Sequence, residues 1–190
     1  MSLNEYRSFN SKLAFHAAPT LLGIKCASLI SLSSEEFDIR SHSDYFNSKA
    51  AVKGLMIKAL CSCKNRTLIL LYNEAKLKAR LACPDTAYML SGFGYDNNSP
   101  LDAKLDRLAA RISESESFPH EIGLFLDYPS EDVKGFIENK GENFKLCGCW
   151  KVYGCPEKAR RIFTNYDKCR SFLCNKLSEG VDLYQALRIS

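Results

Sequence analysis

Apolar residues fall into short blocks along the chain, separated by polar and turn-forming stretches. Tyr6, Phe9, Leu13 and Ala14 recur at helical spacing, which predicts an opening helix over residues 5–15. His16-Ala17-Ala18-Pro19-Thr20 should interrupt it, because proline cannot continue a helix ladder. Leu21 to Leu32 is mostly apolar, with Lys25 its only charge, and predicts a strand, and Ser31 to Ser43 reads as a polar loop. A helix is expected over Tyr45 to Leu60, weakened at Gly54, with a turn over Cys61 to Asn65. Thr67 to Tyr72 is a continuous apolar run bounded by polar residues, the pattern of a buried strand. Helices follow over Glu74–Leu81 and Asp85–Leu90; Gly92 and Gly94 end the second, and Asp96 to Pro100 is a loop.

Leu101, Leu105, Leu108, Ala109 and Ile112 define an amphipathic helix, and Ser113 to Ser117 is a polar break. Pro119 should open a helix that stops near Asp127, ahead of Tyr128-Pro129. Ser130 is a candidate N-cap for a helix over Glu131–Asn139, with Gly141 as its stop. Lys145 to Tyr153 alternates and is rich in aromatics, so it predicts a strand. A turn at Gly154–Glu157 leads into a helix carrying Ala159, Ile162, Phe163 and Tyr166. Two more helical segments follow, near Cys169–Leu177 and Val181–Leu187, parted by Gly180. The expected class is α/β, mostly helical, with a small central sheet of three or four strands covered by helices. Residues 1–190 are expected to form a single globular domain.

Composition adds bounds. A chain of 190 residues, 46% hydrophobic and 25% charged, can bury a core without staples. No run of apolar residues is long enough to cross a bilayer, and the N-terminal residues lack a signal-peptide pattern, so a cytoplasmic location is expected. The net charge of +4 is too small to point to nucleic acid. Its distribution is uneven: residues 49–80 carry +7, residues 113–142 carry −6 and residues 145–190 carry +5.

Nine cysteines cannot all pair with one another. In a reducing compartment they read as core residues, metal ligands or redox thiols. The metal candidates are Cys147, Cys149, Cys155 and Cys169. Cys61-x-Cys63 and Cys147-x-Cys149 would each set two sulfurs on one face of a strand, but no CxxC knuckle of the usual zinc sites occurs. Small, buried, inert thiols are the competing reading.

His16, His42 and His120 are the only histidines. His120 precedes Glu121 at an expected helix start, where the dipole favours a neutral imidazole able to act as base or ligand; an exposed or capping role competes. No HExxH, phosphate-binding loop, dinucleotide fingerprint or GxSxG elbow is present. Ile122, Leu126, Val133 and Phe136 are spaced like a helix-turn-helix, yet Glu131 and Asp132 open the would-be recognition helix, the wrong sign for phosphate. On a strand, Lys151 and Tyr153 would share a face and could hold an anion or polarise a carbonyl.

Five stretches carry a resemblance: His16-Ala-Ala-Pro-Thr20-Leu-Leu-Gly23-Ile-Lys25, Leu71-Tyr72, His120-Glu-Ile-Gly-Leu-Phe-Leu-Asp-Tyr-Pro129 with Asp132-Val-Lys-Gly-Phe-Ile137, Cys147-Gly-Cys-Trp-Lys-Val-Tyr153, and Tyr166-Asp-Lys-Cys-Arg170. Together they resemble an uncharacterised bacterial family defined only as a domain of unknown function. The resemblance departs at two places: the family pattern has glycine where this chain has Asp127, and cysteine where it has Ala17. It implies a bacterial cytoplasmic protein and supplies no activity, and cofactors stay open.

Two classes of function follow. One is a small-molecule site, catalytic or merely binding, built from His16, Thr20, Lys25, Tyr72, His120, Glu121, Lys151 and Tyr153, which should then converge on a pocket. The other is an adaptor or regulatory protein that uses the helix pair around Tyr128-Pro129 and its charged faces for a protein partner. A metal or redox cysteine protein and a DNA binder are lesser alternatives.

Overall fold

The computed structural model describes residues 2–114 and 118–189. The chain forms two compact units, one made of Met1–Lys76 with Tyr166–Ser190 and the other of Leu77–Asn165. The class is α/β and mostly helical, with a three-stranded antiparallel sheet and a separate two-stranded hairpin. Residues 115–117, the centre of the expected polar break, lie outside the described residues.

In the first unit, α1 (Leu3–Leu21) starts with a capping box: the Glu5 amide donates to Ser2 Oγ and the Ser2 amide to the Glu5 carboxylate. Phe9, Leu13, Ala14, Ala17, Ala18 and Leu21 form its buried face. The helix runs through the expected interruption at His16–Thr20. Pro19 sits in the last turn and removes one donor, so the Phe15 carbonyl loses its partner four residues on. Arg170 Nε replaces that donor at 3.0 Å, and its guanidinium lies 5.1 Å from the Phe15 ring centre. The sequence stretches around Pro19 and Arg170 are thus two halves of one contact.

β1 (Ala27–Ser33), β2 (Leu55–Cys63) and β3 (Arg66–Asn73) pair in the order β1-β3-β2, antiparallel throughout. β3 is central and buried on both faces, which is why Thr67–Tyr72 is apolar without alternation. The expected strand over Leu21–Leu32 starts later, because α1 and its capping turn take residues up to Cys26. The expected loop over Ser31–Ser43 shrinks, because α2 (Ile39–Ala50) starts at the Asp38 cap.

The expected helix over Tyr45–Leu60 is corrected more deeply. α2 ends at Ala50, a 3-10 turn covers Ala51–Lys53, and Gly54 turns left-handed at φ 67° into β2. Leu55, Ile57 and Leu60 are the buried residues of β2, and a register shift between Ala59 and Cys61 explains the last step of three. Steps of two and then three residues between buried positions resemble a helical spacing. Cys61 and Cys63, expected in a turn, belong to β2, and the turn is confined to Lys64-Asn65.

The core of this unit joins α1, the inner face of the sheet and α2 to Leu173, Leu183, Tyr184, Leu187 and Ile189 near the chain's end. α8 (Pro156–Ser178) is one continuous helix, merging two expected segments, and α9 (Leu183–Ala186) follows the turn at Gly180.

The second unit continues from α3 (Glu74–Ala82) through α4 (Pro84–Gly92) and α5 (Leu101–Glu114), which bury Leu77, Leu81, Leu90, Leu101, Leu105 and Leu108. The helix expected over Pro119–Asp127 reduces to α6 (Ile122–Phe125), because Asp127 takes φ 64° and the Tyr128 amide closes onto the Gly123 carbonyl at 2.9 Å. α7 (Ser130–Glu138) has Ser130 as its first helical residue; Pro129 stands at the cap position without a side-chain bond. The strand expected over Lys145–Tyr153 is a hairpin of β4 (Leu146–Cys147) and β5 (Lys151–Val152) with a turn at Gly148–Trp150.

Candidate functional site

The hairpin and α7 enclose a concavity of about 380 Å³ within the second unit. Tyr128, Phe136 and Trp150 supply its aromatic wall, and Phe118, His120 and Lys151 also line it. Tyr128 and Trp150 stack with centroids 4.8 Å apart, and Phe163 meets Trp150 edge-on with centroids 4.6 Å apart. Burial pushes the Tyr128 hydroxyl up to about 12, so it stays protonated at neutral pH.

Asp132 holds this wall in place. Its carboxylate is buried in α7 and accepts three hydrogen bonds from the hairpin segment: Trp150 Nε1 on Oδ2, and the Tyr153 and Gly154 amides on Oδ1, each at 2.7 Å. A carboxylate with three donors can stay charged out of water. Two glycines permit the fit. A Cβ on Gly135 would come within 2.5 Å of the Tyr153 ring, and one on Gly148 within 2.2 Å of Phe163. The Asp132–Ile137 and Cys147–Tyr153 stretches of the sequence are therefore complementary surfaces of one structure.

Lys151 Nζ donates to the Gly141 carbonyl at 2.7 Å and lies 4.9 Å from the Phe144 ring centre and 5.9 Å from that of Phe136. The exposed His120 ring meets the same Phe136 ring at 5.0 Å. Cys147 and Cys149 are exposed and line the concavity from the β4 end and the turn. They do not share a strand face as the spacing suggests, because only Cys147 is in a strand. Four of the residues singled out in the sequence, His120, Cys147, Cys149 and Lys151, thus meet here.

The other candidates are placed elsewhere. Glu121 is 1% exposed and pairs with Arg111, while Tyr95 donates to it at 3.3 Å. Burial and this carboxylate raise the Tyr95 hydroxyl above its ordinary range. Tyr153 packs on Gly135 and does not line the concavity, so it forms no site with Lys151 there. In the first unit, His16 is exposed on α1, and the partial desolvation of its ring, with Lys12 and Arg170 nearby, lowers its pKa. Thr20 and Ser28 share a buried hydrogen bond of 2.8 Å, Lys25 lies 5.6 Å from the Tyr166 ring centre, and Tyr72 is buried in β3.

Cys155 donates to Glu157 at 3.3 Å, and Cys169 packs against the first unit's core, where burial raises its thiol pKa. Among the described residues no three of His, Cys, Asp and Glu gather as metal ligands would. α6, at four residues, is too short to act as the first helix of a helix-turn-helix. No helix among the described residues is long and apolar enough to cross a membrane.

The match to known families covers this unit and most of the other, from residue 13 to residue 187. The chain belongs to the DUF3793 family, described as proteins of unknown function. No curated protein and no solved structure matches it. Asp127 occupies a left-handed position that suits glycine, and Ala17 is fully buried in α1, where a cysteine would be a core residue.

Sequence reasoning missed Asp132, Tyr128 and Phe136 as parts of this site. Asp132 carried a signal: it lies four residues before Phe136, on the same face of α7, where a solvated acid is out of place.

Proposed function

We propose that this chain is a small-molecule-binding protein whose site is the Trp150 concavity, taking a planar ligand with an anionic group. One observation carries the reading: His120 and Lys151, from separate stretches of sequence, meet on an aromatic-walled concavity of about 380 Å³. That volume lies in the range of small-molecule sites, and the wall is mostly apolar with few polar groups. The Asp132 oxygens are already occupied by three donors, so they do not compete with a ligand for Lys151 or His120. Lys151 and His120 supply the charge or hydrogen bonds an anion needs. A bacterial, cytoplasmic setting is part of the proposal; nine free cysteines suit a reducing compartment.

Trp150 is the only tryptophan, so its emission reports on this site directly. Titration with anilinonaphthalene sulfonate, a planar aromatic anion, should quench Trp150 saturably with energy transfer to the probe. Lys151→Gln should weaken the binding about tenfold, the size of one lost charged hydrogen bond. Non-saturable quenching, or equal affinity in Lys151→Gln and Phe136→Ala, would overturn the reading.

The adaptor reading has one observation behind it. Tyr88 is 81% exposed and lines a shallow concavity with Met89, Phe93 and Ile137. If that face carries the function, Tyr88→Ala abolishes it and leaves probe binding at Trp150 untouched.

A further inference from the structure

A different concavity, of about 360 Å³, lies wholly within the first unit. Leu22, Phe172 and Leu187 give it apolar wall, and Lys53 and Arg188 are its charged residues. No carboxylate is among the described residues that line it. Lys76 adds a third cation beside it: its Cε lies 3.6 Å from where a Cβ on the lining residue Gly23 would stand. None of the three cations has an ion pair among the described residues.

Two features hold these cations near one another. Asn73 donates from Nδ2 to the Lys53 carbonyl and accepts from the Lys76 amide on Oδ1, both at 3.0 Å, so one side chain ties down both backbones. Arg188 caps α9 with φ 54°, while the next amide, that of Ile189, closes onto the Tyr184 carbonyl at 2.8 Å. Glycine fills such a position without strain, and an arginine there costs stability. The strained residue is also one of the two charged residues of the concavity.

We propose that this concavity binds an organic phosphate, an ester with an apolar body set against Phe172 and Leu187. Three cations without an ion pair among the described residues exceed what one carboxylate neutralises and suit a phosphate dianion. The apolar wall demands a body beyond the phosphate itself, and the volume suits a small molecule. The proposal is independent of the Trp150 site.

The test is calorimetric titration of the full chain with butyl phosphate, butyrate and butanol, none of them planar aromatics that would suit the Trp150 site. Butyl phosphate should bind, more weakly as salt rises, with butyrate much weaker and butanol silent. Lys53→Gln and Arg188→Gln should each lower the affinity about tenfold, and Lys151→Gln should leave it unchanged. Arg188→Gly should weaken butyl phosphate and yet raise the thermal midpoint, which separates a binding role from a structural one. The proposal falls if butyl phosphate does not bind, if butyrate binds as tightly, or if the Lys53→Gln/Arg188→Gln double variant keeps full affinity while circular dichroism shows it folded.

Discussion

Leu13 in the first unit and Asp132 in the second are almost equally hidden from solvent, at 0% and 3% exposure, yet they hold their surroundings by different means. Leu13 belongs to a continuous apolar core, where its neighbours share the burial and each contact is weak and non-directional. Asp132 concentrates three directional bonds on one carboxylate, and the hairpin bearing Trp150 hangs from it. The first arrangement tolerates approximate shape. The second needs glycine at 135 and 148 and an acid at 132. A binding wall that must present fixed rings benefits from the second kind of construction.

The comparison breaks most readily at Asp132. Asp132→Ala leaves three donors without a partner in a buried place and should cost on the order of 4 kcal/mol. Urea unfolding followed by Trp150 emission measures it, and a cost below about 1 kcal/mol would mean water replaces the carboxylate. Leu13→Ala should cost about 3 kcal/mol, mostly as cavity and lost transfer energy. It should leave probe binding at Trp150 intact, whereas Asp132→Asn should damage binding more than its stability loss suggests.

A smaller effect tests the splice at Pro19. Arg170→Ala should cost about 1 kcal/mol in the native chain, because the Phe15 carbonyl loses its replacement donor. In a Pro19→Ala background the helix supplies its own amide, and the same change should cost less. A double-mutant cycle that shows no coupling would assign Arg170's contribution to the Phe15 ring instead.

Asp127→Gly should relieve the left-handed strain and stabilise the fold by about 0.5 kcal/mol, net of the Arg80 ion pair at 3.7 Å that it removes. Thermal unfolding detects the gain; a loss would make the ion pair the stronger partner.

The smallest effect is in pH. Glu5 has its carboxyl lowered from 4.5, chiefly by the hydrogen bond to His42, with Nε2 to Oε1 at 2.9 Å. A lowered carboxyl stabilises the fold above its unfolded pKa and loses that contribution as pH falls through the folded value. Stability should therefore drop on acidification below pH 4.5, and Glu5→Gln should flatten that drop.

How much of this could be read beforehand depends on how local the cause was. Thr67–Tyr72 and Leu101–Ile112 were legible because burial on two faces and burial on one helical face each write a plain pattern. Leu55–Leu60 was not, because a bulge changes the spacing of buried residues midway. Lys145–Tyr153 has strand composition throughout, but the close approach of Phe163 to Gly148 marks where the chain reverses instead of extending. Within the candidate site, His120, Cys147, Cys149 and Lys151 stood out by residue type. Asp132 did not, because an acid on a helix reads as solvated until three donors from a distant stretch are placed around it. Pro19 misled for the same reason: the donor that lets α1 continue is Arg170, far along the chain.

The first unit is also discontinuous in sequence, with the second spliced between Lys76 and Tyr166. Leu173, Leu183, Tyr184, Leu187 and Ile189 complete a core that otherwise comes from the first half of the chain. During synthesis the part of this core that these five residues close stays open until they leave the ribosome. The inserted segment, contiguous in sequence, has all its own residues available sooner. Vectorial synthesis thus favours maturation from the middle outwards, and nascent chains stalled before residue 173 should be the ones that engage chaperones.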